Sequence, residues 1–182
     1  MKISFVVAVY HNEGALSKTH EKIQSVFSSE LPHHEYEIVF VDDGSMDASL
    51  QEILSLREQD PRVKVITFTR NFGQMAAMLA GFKEASGDAV INISADLQDP
   101  VELIPQMVEK WRAGSEIVIC HRTDRSDSLF AKLFSRLAYG VLRMSLPQIP
   151  PGGFDFVLMD RKVMDAFNAI DARHRFFQGD LL

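Results

Sequence analysis

The side chains with the most evident chemistry follow an apolar run in the middle of the chain. Ala89 to Ile93 are small and β-branched residues, a pattern that predicts a buried strand. Ser94, Asp96 and Gln98 come next and alternate with apolar residues, so they would share one side of an extended backbone. The oxygens of Asp96 and Gln98 suit Mg²⁺ or Mn²⁺, hard cations that keep several waters and take further ligands from a phosphate. The pattern therefore predicts a divalent metal site at Asp96 and Gln98.

A second acidic residue in this stretch has a simpler interpretation. Asp99 precedes Pro100, and this pair favours the start of a helix whose free N–H groups the carboxylate caps. That cap needs only one acidic residue. Asp96, on the other side of Leu97, therefore remains available for binding or catalysis.

The elements that must hold these groups alternate regularly along the chain. Apolar runs predict strands at 3–10, 37–41, 63–68, 89–93, 116–120 and 154–159. Helical spacing predicts helices at 12–28, 47–58, 71–85, 100–113, 128–145 and 161–170. Alternation of this kind is typical of an α/β fold, Rossmann-like, with a mostly parallel central sheet and helices on both faces.

Three polar turns should meet at one edge of this sheet. The turns HNEG, DDGS and SADLQ follow the first, second and central strands, and the carboxyl ends of parallel strands share an edge. Taken alone, Asp43-Gly44-Ser45 favours a capped helix start. Acidic groups gathered at one edge would repel each other unless a cation, a nucleobase or a ribose lay between them. Together with Asp96, the turn therefore predicts a bound ligand.

Composition limits the class of protein. The chain has 182 residues, 46% of them hydrophobic, which favours one domain over 1–182. A formal net charge of -6 argues against a general nucleic-acid binder. Cys120 is the single cysteine, so there is no disulfide framework, and neither a signal peptide nor a membrane-length apolar run is present. A reducing, cytoplasmic compartment is expected.

Several well-known motifs are absent from the sequence. The first turn is not G-x-G-x-x-G, which argues against a dinucleotide-binding protein. Neither G-x-x-x-x-G-K-[ST] nor G-x-S-x-G occurs, which argues against a P-loop nucleotidase and an α/β-hydrolase. None of these three protein classes therefore explains the predicted ligand site.

Five segments together supply that context. They are VVAVYHNEGAL, VFVDDGSMD, TRNFGQMAAMLAGFKEASGDAV, ISADLQDPVELIPQMVEKW and GGFDFVLMDRKV. In this order and spacing the chain resembles the catalytic domain of a family 2 glycosyltransferase of the GT-A fold. The branch that it resembles most uses polyprenyl phosphates such as dolichyl phosphate. The resemblance implies an inverting transfer from a UDP- or GDP-sugar, with Mg²⁺ or Mn²⁺, to a lipid phosphate.

The same resemblance implies which residues bind the donor. Asp96 and Gln98 would hold the metal on the donor diphosphate, and Asp96 would also be catalytic. Ser94 stands at the first position of the family's Asp-X-Asp, so weaker metal binding or a water-bridged hydroxyl is expected. Ala8 stands where the family often has proline. The implied nucleotide-sugar-binding residues are Ala8, Tyr10, Glu13, Asp42, Asp43, Ala95, Asp96 and Arg122.

The acceptor side is predicted from the last third of the chain. Within GGFDF, Asp155 falls where the family places an acidic residue facing the acceptor, so it is predicted to be the catalytic base or an acceptor-positioning group. The alternative is that Asp155 caps the preceding glycine turn. Lys132, Arg136 and Arg143 fall within a narrow arc of the predicted helix 128–145 and could attract an anionic headgroup or membrane surface. A solvated helix face explains them equally well.

Membrane-bound members of the family continue with a further basic motif, amphipathic helices and transmembrane segments. None of these occurs here, so we expect a truncated domain from a protein at the cytoplasmic face of the membrane. Two alternatives remain open. One is a glycosyltransferase for a soluble or glycan acceptor in cell-surface polysaccharide synthesis, and the other is a non-catalytic nucleotide-sugar-binding module.

Overall fold

The computed structural model describes residues 1–120, 154, 156–170 and 175–181. The strands are β1 (Lys2–Val9), β2 (Glu35–Asp42), β3 (Val63–Thr67), β4 (Ala89–Asn92), β5 (Ile117–Ile119) and β6 (Val157–Asp160). The helices are α1 (Leu16–Glu30), α2 (Ser49–Gln59), α3 (Gln74–Glu84), α4 (Ile104–Arg112), α5 (Arg161–Asn168) and α6 (Phe177–Leu181). A 3₁₀ helix, Val101–Leu103, precedes α4. None of the helices in these ranges has the length and apolarity needed to cross a bilayer.

One six-stranded sheet has the order β3-β2-β1-β4-β6-β5. The first four strands of this order pair in parallel, which confirms the predicted mostly parallel sheet. The exception is β6, which runs antiparallel to both of its neighbours. Its residues Val157, Leu158 and Met159 are all buried, and an apolar run of this kind fits a covered strand in either direction. The sequence pattern therefore could not reveal its reversal.

Two apolar layers cover the sheet. Helices α1, α2 and α4 pack on one face, where Phe5 of β1 meets Phe27 edge to face at 5.7 Å between ring centres. Helices α3, α5 and α6 cover the other face, where Phe82 meets Phe167 at 5.8 Å. Gly81 lets α3 lie close to β1, because a Cβ there would overlap the side chain of Val6. The carboxyl-end loops are thus mounted on a sheet that is packed from both sides.

A buried carboxylate, that of Glu37, stabilises the amino-end edge of the sheet through hydrogen bonds and ion pairs. Glu37 accepts hydrogen bonds from Ser4 Oγ at 2.7 Å and Ser86 N at 2.7 Å, and pairs with Lys2 Nζ at 2.5 Å and Lys64 Nζ at 3.4 Å. Burial alone would raise the pKa of Glu37, but these hydrogen bonds lower it to about 2. A groove of ≈ 600 Å³ lies here, and both of its lysines pair with this carboxylate.

Candidate functional site

A cleft opens at the opposite edge, where β1, β2 and β4 end. It consists of two adjoining hollows that share Ala8, Asn12 and Gln74. The Asp43 hollow has a volume of ≈ 230 Å³, and the Asp96 hollow has a volume of ≈ 260 Å³. The first is also lined by Val9, Tyr10, Asn71 and Ala77, and the second by Asn92, Ile93, Ser94, Ala95, Gln98 and Asp99. All three predicted turns therefore contribute to the cleft, through Asn12, Asp43 and Asp96, together with the loop before α3.

The loop after β4 is not extended. Ser94 N donates to Asp99 Oδ2 at 2.7 Å, and Asp99 N donates to Ser94 Oγ at 3.2 Å. Leu97 between them has φ = 60°, a left-handed conformation that is uncommon for a residue with a side chain. The expectation of an alternating, extended backbone was wrong, because these two reciprocal bonds close the segment into a compact turn. Asp99 is not a helix cap either, since its carboxylate binds Ser94.

Asp96 and Gln98 lie together on this turn. Gln98 Nε2 donates to Asp96 Oδ2 at 2.5 Å, and both side chains are exposed to the Asp96 hollow. Among the described residues, no group of three or more His, Cys, Asp or Glu side chains could hold a metal by itself. The donor set nevertheless fits a magnesium-like ion, which binds through one or two side-chain oxygens and takes its other ligands from phosphate and water. The amide can present its oxygen after a half-turn of its terminal group.

The acidic pair after β2 is satisfied by the protein itself. Asp43 is buried and accepts hydrogen bonds from Phe72 N at 2.7 Å and Gly73 N at 2.9 Å. Asp42 is also buried and lies 3.3 Å from the hydroxyl of Thr67, which donates to it. The argument that repulsion requires a ligand between these carboxylates was therefore wrong. Backbone and hydroxyl donors already provide the compensation.

The loops after β1 and β2 are bonded to each other. Ser45 does not cap α2, which begins only at Ser49; its hydroxyl accepts from His11 N at 3.1 Å instead. Ser49 Oγ accepts from Asn12 N at 2.8 Å, which holds Asn12 at the junction of the two hollows. The predicted helix start at residue 12 was four residues early, because residues 12–15 form a turn before α1.

Carboxylates occupy the amino ends of the three helices that begin near the cleft. At α1, Glu52 accepts from Gly14 N and Ser17 N, each at 2.7 Å. At α2, Glu13 accepts from Ala48 N at 3.3 Å, and before α3 the acceptor is Asp43. These N–H groups would otherwise attract an anion. No Lys or Arg of the described residues lines either hollow, so the described part of the cleft is negatively charged.

The other predicted donor-site residues divide between the cleft and its surroundings. Tyr10 is 47% exposed, stacks on the ring of His11 at 4.1 Å and lines the Asp43 hollow. Ala8 lines both hollows, and Ala95 lines the Asp96 hollow. Glu13 and Asp42 do not line the cleft but bond to neighbouring protein groups. The nucleotide-binding roles of all these residues stay predictions.

Five predicted residues lie outside the part of the chain that the structure describes. For them the structure adds nothing to the sequence. They are Arg122 on the donor side, Lys132, Arg136 and Arg143 on the acceptor side, and Asp155.

Comparison with known proteins identifies the family. The family model described as "Glycosyl transferase family 2" matches residues 4–166. The chain belongs to glycosyl transferase family 2. A bactoprenol glucosyl transferase of Shigella phage SfV is 42% identical to it over 183 residues. A prophage bactoprenol glucosyl transferase homolog of Escherichia coli K12 is 40% identical over the same length. Both alignments cover the whole of this family 2 chain but only 59% of the relative.

Solved structures confirm the GT-A fold of this family 2 chain. Glucosyl-3-phosphoglycerate synthase from Mycobacterium tuberculosis, solved in complex with UDP, superposes with a TM-score of 0.67 at 18% identity. The match covers 91% of this chain and 58% of the other. A mannosyltransferase from Pyrobaculum calidifontis, in complex with GDP-Man and Mn²⁺, gives a TM-score of 0.62 at 20% identity, covering 90% and 45%.

Sequence reasoning missed four amide side chains that line the cleft of the family 2 chain, one of which is Asn92 at the end of β4. Asn12 and Gln74 stand where the two hollows meet, and Asn71 lines the Asp43 hollow. The signal for two of them was present in TRNFGQ, which follows the third strand. The rule that collects turns at the carboxyl edge applies to that strand as well. Asp43 then fixes this turn against the cleft through Phe72 and Gly73.

Replacing Gly44 with Ala should disturb the family 2 cleft through its backbone. Gly44 has φ = 71°, and a Cβ there would lie 2.5 Å from the carbonyl carbon of Arg70. We expect Gly44→Ala to lower the free energy of unfolding by about 2 to 4 kcal/mol, because steric overlap adds to left-handed strain. Gly114→Ala is the matched control: φ is 106° there but the surrounding space is open, so about 1 to 2 kcal/mol is expected. Equal losses in urea denaturation would contradict the steric argument.

Proposed function

We propose that this chain is the catalytic part of an inverting glycosyltransferase that moves a sugar from a UDP- or GDP-sugar to a polyprenyl phosphate. The bactoprenol glucosyl transferases that it resembles favour this acceptor, and glucose is the first sugar to test. The chain spans about three-fifths of the length of these relatives, so we propose, rather than infer from similarity alone, that it shares their glucosyl transfer activity.

The charge of the cleft is the observation that carries the proposal. Asp43, Asp96 and Asp99 line it, while the described residues contribute no Lys or Arg to its lining. Glu52, Glu13 and Asp43 already accept hydrogen bonds from N–H groups that lie just before α1, α2 and α3. A diphosphate can therefore enter this part of the cleft favourably only with a cation, and Asp96 with Gln98 supplies the oxygens to hold one.

The metal belongs to the same proposal. Asp96 and Gln98 would hold Mg²⁺ or Mn²⁺, whose bound form acts as a Lewis acid and offsets the charge that develops on the leaving diphosphate. Tyr10 would stack on the base, and Asp43 would bind the base or ribose through lone pairs that its backbone donors leave free. Arg122 would lie near the phosphates.

The reaction is a direct displacement at the anomeric carbon. An acceptor phosphate oxygen forms the new bond to this carbon as the bond to the donor diphosphate breaks, and the electron pair leaves with the nucleoside diphosphate. The configuration at the carbon inverts. A phosphate monoester has its second pKa at about 6, so much of it is already anionic at neutral pH and needs no strong base. Asp155 would then orient the acceptor, and Lys132, Arg136 and Arg143 would attract the anionic headgroup at the cytoplasmic membrane face.

Product analysis tests the proposal. The protein is incubated with radiolabelled UDP-glucose or GDP-mannose, Mn²⁺ and undecaprenyl phosphate, and label is counted in the organic extract. We expect metal-dependent label in the lipid, lost when EDTA is added or undecaprenol replaces its phosphate. Label transferred instead to a free sugar or glycan would replace the lipid acceptor with a soluble one. Donor binding without any transfer would support the non-catalytic module.

A further inference from the structure

Helix α1 contacts the loop after β4, which carries Asp96, through the buried hydroxyl of Thr19. Thr19 has no exposed surface, and its Oγ1 donates to the backbone oxygen of Ala95 at 2.9 Å. The Thr19 Oγ1 also lies 3.2 Å from Ala15 O, in the preceding turn of α1. The contact joins residues 76 positions apart, and Ala95 directly precedes Asp96.

The peptide that Thr19 holds is the one that carries Asp96. The carbonyl of Ala95 and the N–H of Asp96 belong to one planar unit, so fixing the carbonyl fixes the direction in which the chain enters Asp96. On the other side of Asp96, Leu97 has a left-handed backbone conformation. A conformation of this cost persists only where the surrounding structure enforces it.

Several hydrogen bonds close the loop on itself. The reciprocal bonds between Ser94 and Asp99 close its two ends, and the contact between Asp96 and Gln98 joins the two side chains that are themselves exposed. The Thr19 hydroxyl attaches the middle of the loop to a core helix. Without that donor, a buried carbonyl would lose a hydrogen bond, and the loop would shift to find another.

We propose that Thr19 is a positioning residue for the metal carboxylate: through Ala95, it holds Asp96 in the geometry that binds a divalent cation with the donor diphosphate. The inference rests on the proposed function, because it needs a metal-dependent nucleotide site at Asp96. It assigns part of that site to a side chain that lines neither hollow.

Thr19→Val and Thr19→Ser separate the hydroxyl from the shape of the side chain. Valine keeps the volume and removes the donor, whereas serine keeps the donor and removes a methyl group. Calorimetry measures UDP and GDP binding as Mn²⁺ is titrated, and urea denaturation without nucleotide measures stability. We expect Thr19→Val to raise the Mn²⁺ concentration for half-maximal binding about 10-fold or more, as loss of a residue supporting a ligand does. Thr19→Ser should stay within about 2-fold of wild type.

A control on the same helix removes the general effect of destabilisation. Val26→Ala truncates a buried α1 side chain that is in the core and away from the loop, so it should lower stability and leave the Mn²⁺ midpoint unchanged. If the valine variant does not fold, Thr19→Ala removes the same donor and takes its place. A Mn²⁺ midpoint that moves equally in Val26→Ala would overturn the inference.

The two levels of proposal fail in different ways. If wild type binds nucleotide with Mn²⁺ and Thr19→Val has an unchanged midpoint, the positioning role is wrong while the proposed function stands. If wild type binds neither UDP nor GDP with Mn²⁺, the proposed function fails and this inference fails with it.

Discussion

Replacing Asp96 with Asn is expected to weaken Mn²⁺-dependent binding of UDP or GDP by about 100-fold or more, because it removes the carboxylate that we propose to bind the metal while keeping the shape of the side chain. The cleft provides little other compensation for a diphosphate, since no Lys or Arg of the described residues lines it. Calorimetry with and without Mn²⁺ measures the loss. Adding EDTA to wild type should reproduce it, and adding EDTA to Asp96→Asn should change little further.

Asp165→Asn is the matched control for this change. Asp165 is an exposed carboxylate on α5 that lies 3.7 Å from Arg161 and does not line the cleft. The same chemical substitution there should leave nucleotide affinity within about 2-fold of wild type, since exposed ion pairs contribute little. Undiminished, metal-independent nucleotide binding by Asp96→Asn would remove the basis for the metal site.

Replacing Glu37 with Gln is expected to lower the free energy of unfolding at neutral pH by about 2 to 4 kcal/mol, because it removes the charge of a buried, hydrogen-bonded carboxylate and leaves Lys2 without its counter-charge. Glu84→Gln is the control. Glu84 also pairs with Lys64, at 3.3 Å, but its side chain is 53% exposed, so a loss below about 0.5 kcal/mol is expected. Equal losses would show that burial does not strengthen the Glu37 network.

The same carboxylate predicts how stability falls in acid. The pKa of Glu37 is lowered from 4.5 to about 2, so its contribution is complete above about pH 5 and is lost as the pH falls towards 2. At ~1.4 kcal/mol per pH unit, the gap between the two values corresponds to about 3 to 4 kcal/mol. Unfolding of Glu37→Gln should therefore depend less on pH between 5 and 2. Some dependence of stability on pH will remain because of Asp60. Burial alone would raise the pKa of Asp60, but hydrogen bonds from Arg62 and His20 lower it to about 2.

Much of the sheet and its turns was predictable because the sequence patterns that indicate strands are local. Strand runs such as Ala89 to Ile93 are continuous in the sequence, and the parallel-sheet rule then collects the following turns at one edge. This sufficed to bring Asp43 and Asp96 into adjoining hollows. The direction of β6 was not predictable, because an apolar strand buried on both faces carries no mark of its polarity.

The detailed chemistry of the cleft was less accessible because its partners are distant in the chain. Asp43 binds N–H groups about thirty residues away, and Thr19 reaches the loop that carries Asp96. Neither pairing leaves a periodic or motif-like trace, since a backbone N–H or carbonyl is offered by nearly every residue. The left-handed Leu97 is similar: its type gives no hint of the turn, which the Ser94 and Asp99 bonds impose.

The reversed direction of β6 decides which part of the chain lies next to the carboxyl end of β4. Val157, the first residue of β6, pairs with Asn92, the last residue of β4. The polypeptide thus enters β6 beside the point where it leaves β4, whereas a strand running the other way would enter at the far side of the sheet. Phe156, directly before β6, and Ile93, directly after β4, therefore lie at the same edge of the sheet although they are distant in the sequence.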